Sequence, residues 1–170
     1  ALASLAGERM FFDGDNSSGV SGDLESATTI ASFMEGHWGM GSTVSSHASN
    51  RRNEVGAPGA GKGKDDSGKE IRVALADRIE NNLSSLLNRA EVILRENKNK
   101  VLALAHALEV NKTMTGDDVK AVLNFEAGPL IDGRPYGNEE NIAAIVRYHE
   151  AAVIAHKEHK KPEISLPAIK

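Results

Sequence analysis

The 170-residue sequence contains no cysteine, which excludes a disulfide scaffold, a thiolate nucleophile and any metal site with cysteine ligands. Aromatic residues make up only 4% of the chain, so its core must rest on leucine, isoleucine, valine and alanine. Positive charge is not in excess, because 20 Lys and Arg face 24 Asp and Glu, for a formal net charge of −4. This balance argues against general nucleic-acid binding, in which Lys and Arg displace phosphate counterions.

Long hydrophobic runs are also missing. The longest are about five residues, as at Val101–Ala105, whereas a membrane-spanning helix needs roughly 20. Residues 1–12 lack a basic start followed by a cleavable apolar stretch, so they do not resemble a signal peptide. The sequence begins without methionine, and we expect it to be a fragment or a processed piece.

Apolar residues recur at helical spacing along most of the chain, and no period-2 alternation is long enough for a strand, so the sequence predicts an all-α fold. Caps are predicted at Ser21, Ser67, Thr115 and Asn138. The predicted helices are the opening stretch to about Phe12, Asp23 to about Glu35, residues 67–97 with a polar break at Asn97–Lys100, Val101–Leu108, Asp117 to about Asn124, and Glu139 to about Lys160.

The composition divides the chain into four parts. Residues 1–40 form a helix, a turn and a second helix, and residues 41–69, with six glycines and many serines, form a long flexible linker or loop. Residues 70–124 form part of a helical bundle, and residues 125–170 form a connector, a last helix and a tail.

Two patterns carry some chemical signal. Gly56–Gly63 has the Gly and Gly-Lys spacing of a phosphate-binding loop, but Gly63 replaces the magnesium-binding Ser or Thr and no apolar strand precedes it. We interpret it as linker, with a nucleotide-binding switch as the alternative. His149-Glu150 resembles the start of a zinc-binding HExxH motif, but position 153 is Val. His156 and His159 lie one turn apart and could bind a metal weakly, but we interpret the set as a cation-rich helix end.

The stretch Ser18–Ala31 reads locally as a turn followed by an amphipathic helix, with Asp23 in the first turn, where a carboxylate suits the helix dipole. It also resembles a signature of the FtsH family of ATP-dependent zinc metalloproteases. The positions that fit this signature are Ser18, Gly19, Ser21, Asp23, Leu24, Ala27, Thr28 and Ala31. Further stretches resemble the family in the same order over about residues 1–124: Ala6–Arg9 with Phe12, His37–Met40, Ala90–Asn97, Leu104–Leu108 and Met114–Val119.

This resemblance implies a helical peptidase-type domain from a membrane-tethered homo-hexamer that also carries an AAA ATPase module. In that family an HExxH helix supplies two His and the Glu, and a later Asp supplies the third zinc ligand. By resemblance that ligand is Asp23. The resemblance further implies a zinc metalloendopeptidase of protein quality control, which degrades unfolded or membrane proteins on the cytoplasmic side of a membrane and uses ATP in a separate module.

The chain departs from the family pattern at defined places. It contains no HExxH, Gly22 replaces the usual Asn, and Arg9 replaces the second Glu of the upstream stretch. Residues 125–170 match nothing in the family, although Tyr148–Ala151 echoes its Y-H-E-A sequence. We therefore predict that the chain alone has no peptidase activity. The alternative is a catalytically inactive helical interaction or regulatory module derived from this family.

Overall fold

The computed structural model describes residues 1–41 and 66–169, with the side chains of the long third helix described from Arg72 onward. Most of the predicted 41–69 linker, including the whole Gly56–Gly63 pattern, lies outside the described residues. The described helices are α1 (Leu2–Phe11), α2 (Ser21–Gly36), α3 (Asp66–Glu96), α4 (Lys98–Asn111), α5 (Gly116–Asn124) and α6 (Glu139–Lys157), with 3-10 helices at Ser18–Val20 and Arg134–Gly137.

The all-α prediction is confirmed. Within residues 1–41 and 66–169 the only extended pairing is an isolated antiparallel bridge between Ala127 and Asp132. None of the helices described has both the length and the apolar composition needed to cross a membrane. The chain divides into two compact units: the first takes in Ala1–Arg9 and Asp15–Val92, and the second takes in Met10–Gly14 and Ile93–Lys170.

The first unit contains most of α1, the 3-10 helix at Ser18–Val20, α2 and most of α3. Its buried apolar residues are Leu5, Ala6, Val20, Ala27 and Ala31. They are mostly small, as expected for a chain poor in aromatics, and small side chains let helix backbones approach closely.

The predicted cap at Ser21 is wrong. Val20 occupies the cap position of α2 and provides no side-chain hydrogen bond. The capping side chain belongs instead to Ser17, which accepts a hydrogen bond from the backbone N–H of Gly19 at 3.1 Å. The cap lies four residues earlier because a 3-10 turn leads directly into the helix, and this turn is the segment whose first N–H groups need an acceptor.

The polar break predicted at Asn97–Lys100 is shorter than expected. Only Asn97 interrupts the helices, and α4 begins at Lys98 because lysine is a good helix former and needs no break. The side chain of Asn97 donates to the backbone oxygen of Ile93 at 2.9 Å and so satisfies a carbonyl group in the last turn of α3. The helix α4 also runs past Leu108 to Asn111, and Lys112 then adopts a left-handed conformation with φ 62°.

Two other predicted caps are confirmed. The Thr115 side chain accepts from the N–H of Asp118, and Asp118 accepts from the N–H of Thr115, which completes a capping box at the start of α5. Asn138 accepts from the N–H of Glu140 at 2.8 Å at the start of α6. The predicted Ser67–Glu70 capping box concerns side chains outside the described set, and α3 already begins at Asp66.

The second unit is built on α4, which packs against both α5 and α6. Its core residues come from these helices and from the connector between α5 and α6: Leu102, Ala103, Ala107, Val122, Ile131, Tyr136 and Ile145. We refer to these seven residues as the core cluster. The irregular connector predicted at Gly128–Gly137 is confirmed, with the short 3-10 helix Arg134–Gly137 at its end.

A buried carboxylate ties this connector to α5. Asp118 is fully buried, and its Oδ1 accepts from the N–H groups of Leu130 and Ile131 at 2.8 and 3.0 Å. Its Oδ2 accepts from the Thr115 hydroxyl at 2.7 Å. These hydrogen bonds, with that of Thr115 first, lower the pKa of Asp118 to about 2 against the opposing effect of burial.

Candidate functional site

Asp23 lies in the first turn of α2, and its side chain is exposed. Its Oδ2 lies 2.5 Å from the hydroxyl oxygen of Ser4 on α1. The same hydroxyl lies 2.6 Å from the backbone oxygen of Ala1, and its single proton is shared between the two acceptors. The bond to the carboxylate is the stronger because it is charge-assisted. No described residue donates a hydrogen bond to Oδ1 of Asp23, so this oxygen of the exposed side chain retains its lone pairs for a ligand.

Glu8 fixes the loop that leads from α1 to α2. Its Oε2 accepts from the N–H of Ser17 at 2.6 Å, and its Oε1 accepts from the Ser17 hydroxyl at 2.9 Å. Because Ser17 also caps the 3-10 turn, Glu8 determines where this turn and α2 begin. Two contacts from α1, from Ser4 and from Glu8, therefore position the Asp23 turn.

Sequence reasoning assigned no function to Ser4 or Glu8. The Ala6–Arg9 pattern includes Glu8 without predicting a contact for it, and the sequence predicts no function for Ser4. A sequence signal for Glu8 does exist, since an acidic side chain nine residues before Ser17, a serine in a turn, could accept hydrogen bonds from that turn. For Ser4 no local signal exists, since its partner lies 19 residues away.

The His37–Met40 stretch ends α2. The N–H groups of His37 and Trp38 both bond to the backbone oxygen of Phe33 at 2.9 Å, and Gly39 takes the left-handed conformation with φ 63° that terminates a helix. The Trp38 ring, 56% exposed, stacks on Phe33 with centroids 5.5 Å apart. The resemblance in this stretch thus corresponds to a helix end with an exposed aromatic pair.

The C-terminal histidines contact aromatic rings. His149 meets Phe11 edge to face, with ring centroids 5.6 Å apart, and burial together with the charge of Lys98 lowers the pKa of His149. His156 meets Phe12 in the same manner at 5.5 Å. α6 ends at Lys157, three residues before the predicted end, and His159 lies beyond it. The structure therefore does not place His156 and His159 together on a helix face.

Zinc fits the chemistry of Asp23 as one ligand of several. Aspartate oxygen is an ordinary zinc ligand, usually beside histidine nitrogens, and Asp23 offers an exposed, oriented carboxylate. Across residues 1–41 and 66–169, no three His, Asp or Glu side chains are grouped so that they could hold a metal. Any zinc held by Asp23 would thus also need ligands from outside the described residues.

Comparison with known proteins places the chain in a family. Residues 1–122 match Peptidase family M41. The chain is 38% identical over 124 residues to the ATP-dependent zinc metalloprotease YME1L of Drosophila melanogaster, covering 72% of this chain and 16% of that protein. It is 30% identical over 136 residues to the ATP-dependent zinc metalloprotease FtsH of Pelobacter propionicus, covering 76% of this chain and 21% of that protein.

A third relative is the ATP-dependent zinc metalloprotease FtsH 2 of Symbiobacterium thermophilum, 28% identical over 123 residues, covering 72% of this chain and 20% of that protein. The chain thus spans only about a fifth of the length of these curated relatives. No solved structure matches it. The family match covers more than half of the chain and agrees with the resemblance of the Ser18–Ala31 stretch, and the chain therefore belongs to peptidase family M41.

Proposed function

We propose that the chain is part of an ATP-dependent zinc metalloendopeptidase and that Asp23 supplies the third zinc ligand of its peptidase site. The observation that carries this proposal is the position of Asp23. It stands in the matched segment, on an exposed first helical turn, with one carboxylate oxygen held by Ser4. When bound, zinc supplies Lewis acidity for peptide hydrolysis.

The residues of this chain have two tasks in that site. Asp23 binds the metal through Oδ1, the oxygen that no described donor occupies. Ser4 and the Glu8–Ser17 pair hold the turn, as ligand-orienting hydrogen bonds do in metal sites generally. The negative charge of Asp23 is also favourable where it stands, at the N-terminal end of α2.

The remaining ligands belong to another segment in this proposal. The 170 residues contain no HExxH, so the two His and the general-base Glu come from outside them. The chain alone should not hydrolyse peptides. Hydrolysis of an unfolded protein by the pure chain, stopped by a chelator, would overturn this part of the proposal.

The relatives are ATP-dependent zinc metalloproteases, and their activity together with the family resemblance supports a proposal about substrates and partners. We propose that the whole protein takes unfolded or membrane proteins, uses ATP in a separate module, assembles as a homo-hexamer and acts on the cytoplasmic side of a membrane through an anchor elsewhere in the protein.

The test uses the natural protein isolated from its source, whose intact mass is measured first. A mass several-fold above 18.1 kDa is expected, since the relatives are about four times as long as this chain. ATP-dependent cleavage of an unfolded reporter is then compared for Asp23→Ala and for Asp15→Ala, an exposed carboxylate in the preceding loop. Loss of cleavage in the first variant alone is expected.

The inactive-module alternative rests on the replacements at Gly22 and Arg9. It predicts that the natural protein does not cleave the reporter, with or without ATP, and that Asp23→Ala changes only its stability. A natural mass close to 18.1 kDa would also favour this alternative over the protease.

A further inference from the structure

The segment 162–169 follows α6 without regular secondary structure, yet part of it is held against the protein. Leu166, Pro167 and Ile169 are half-buried, whereas Ser165 and Ala168 between and before them are exposed. Ile169 packs against the core cluster of the second unit. A segment without regular secondary structure that buries some positions and exposes their neighbours has the pattern of a bound peptide.

The polar contact of this segment is made by a buried histidine. His106 on α4 is 5% exposed, and its Nε2 lies 2.8 Å from the backbone oxygen of Pro167. Its Nδ1 lies 2.8 Å from the hydroxyl of Tyr136, which is also 5% exposed. Within the described residues, the hydrogen-bond partner of His106 Nε2 is therefore supplied by the segment, whereas Nδ1 is paired with Tyr136 on the protein itself.

The partners fix the proton on His106. A backbone carbonyl can only accept, so Nε2 carries the hydrogen and donates to Pro167. Where Nδ1 carries no proton, it accepts from the Tyr136 hydroxyl. Burial raises the pKa of Tyr136 to about 12, so its hydroxyl keeps its proton near neutral pH. The pair thus presents one oriented N–H donor beside an apolar surface.

We propose that His106, Tyr136 and the adjoining core cluster form a recognition site for an extended Leu-Pro-x-Ile peptide, and that the chain's own 162–169 segment occupies it in cis. In this site His106 donates a hydrogen bond to a main-chain carbonyl of the peptide. The core cluster packs against a branched apolar side chain two residues later, at the Ile169 position. The inference is independent of the proposed zinc site, which involves none of these residues.

The tether determines how strongly the segment competes with a free peptide. Exposed residues 158–161 join it to the end of α6, and a link this short gives an effective concentration on the order of millimolar. A free peptide with a dissociation constant of about 100 µM should therefore bind the intact chain roughly tenfold more weakly than a chain whose segment has been displaced.

The test uses the full chain and an acetylated, amidated peptide of residues 162–170, with binding followed by calorimetry. Ile169→Asp displaces the segment by placing a charge against the core cluster, and Ile164→Asp is the matched control, since Ile164 is 44% exposed in the same segment. We expect Ile169→Asp to bind the peptide at least tenfold more tightly than the wild type and Ile164→Asp do.

The donor on His106 is tested in the displaced chain. His106→Leu removes the N–H and should abolish peptide binding, whereas His106→Gln retains a donor and should restore part of it. A chain ending at Lys161 provides a second form of the empty site. Circular dichroism establishes that each variant retains its helices.

Three outcomes would overturn the proposal. The first is a folded Ile169→Asp chain that does not bind the peptide. The second is equal peptide binding by the wild type and the displaced chain, since the site would then not be occupied in cis. The third is loss of cooperative unfolding in both Ile169→Asp and the chain ending at Lys161, which would make the segment an integral part of the core.

Discussion

The connector that positions Tyr136 depends on a close approach at Gly133, and Gly133→Ala tests it. Gly133 is buried, and its N–H donates to the backbone oxygen of Glu126 at 2.7 Å. A Cβ placed on it would meet the backbone of α5 at the carbonyl of Ala121 and would lie 2.7 Å from Cα of Val122. Both neighbours are helix backbone, which cannot rotate away as the end of a side chain can.

The expected cost follows from these contacts. Overpacking a well-filled site costs about 1–3 kcal/mol, and a clash with rigid backbone places this case near 3 kcal/mol. Gly→Ala also lowers the conformational entropy of the unfolded chain, which stabilises the folded state by about 0.4–1 kcal/mol and offsets part of this cost. The φ of −81° at Gly133 suits alanine, so no backbone strain is added. The net loss should be about 2 kcal/mol.

The assay is equilibrium urea denaturation at constant pH, with Gly116→Ala as the control. Gly116 is the first residue of α5, and nothing lies within 4 Å of a Cβ built on it. The control should be neutral or stabilised by up to about 1 kcal/mol. A Gly133→Ala chain within about 0.5 kcal/mol of the wild type would show that the close approach does not exist.

Other predictions address single groups. The pKa of Asp118 is about 2 in the folded chain against 3.8 as its ordinary value, so its contribution to stability is complete above about pH 4 and is lost as pH falls towards 2. Asp118→Asn should remove this part of the acid dependence, measured by circular dichroism during acid titration. Lys112→Gly should stabilise the chain by about 1 kcal/mol in urea denaturation. Lys112 has a left-handed backbone conformation at the end of α4, and glycine adopts this conformation without the steric cost of a Cβ. Asp23→Ala should change the stability of the chain alone by no more than about 1 kcal/mol, since only a helix-dipole contact and one exposed hydrogen bond are lost. A larger loss would indicate that Asp23 has a structural function.

Sequence reasoning predicted the helices well because their signals are local. The capping box at Thr115 and the cap at Asn138 each involve residues two or three apart, and apolar spacing marks the buried face of a helix. The cap predicted at Ser21 was wrong, because a 3-10 turn precedes the helix and the capping side chain is that of Ser17. Such a turn has no periodicity of its own to read, since it is only three residues long.

The contacts of the candidate sites were beyond the sequence because they join distant residues. Ser4 and Asp23 are 19 positions apart, and His106 and Pro167 are 61 apart. Periodicity tells which face of a helix is buried but not which side chain it meets. The family itself was predictable, since its motifs are sequence patterns, whereas the zinc-ligand function of Asp23 stays a prediction.

The zinc content of the natural protein tests the central claim most directly. Wild-type protein, Asp23→Ala and the loop control Asp15→Ala are purified identically and dialysed, and metal is measured by mass spectrometry. The account predicts about one zinc per chain in the wild type and in Asp15→Ala, and at least tenfold less in Asp23→Ala, because removing a ligand opens a three-ligand site. Equal zinc in all three proteins, or none in the wild type, would contradict it.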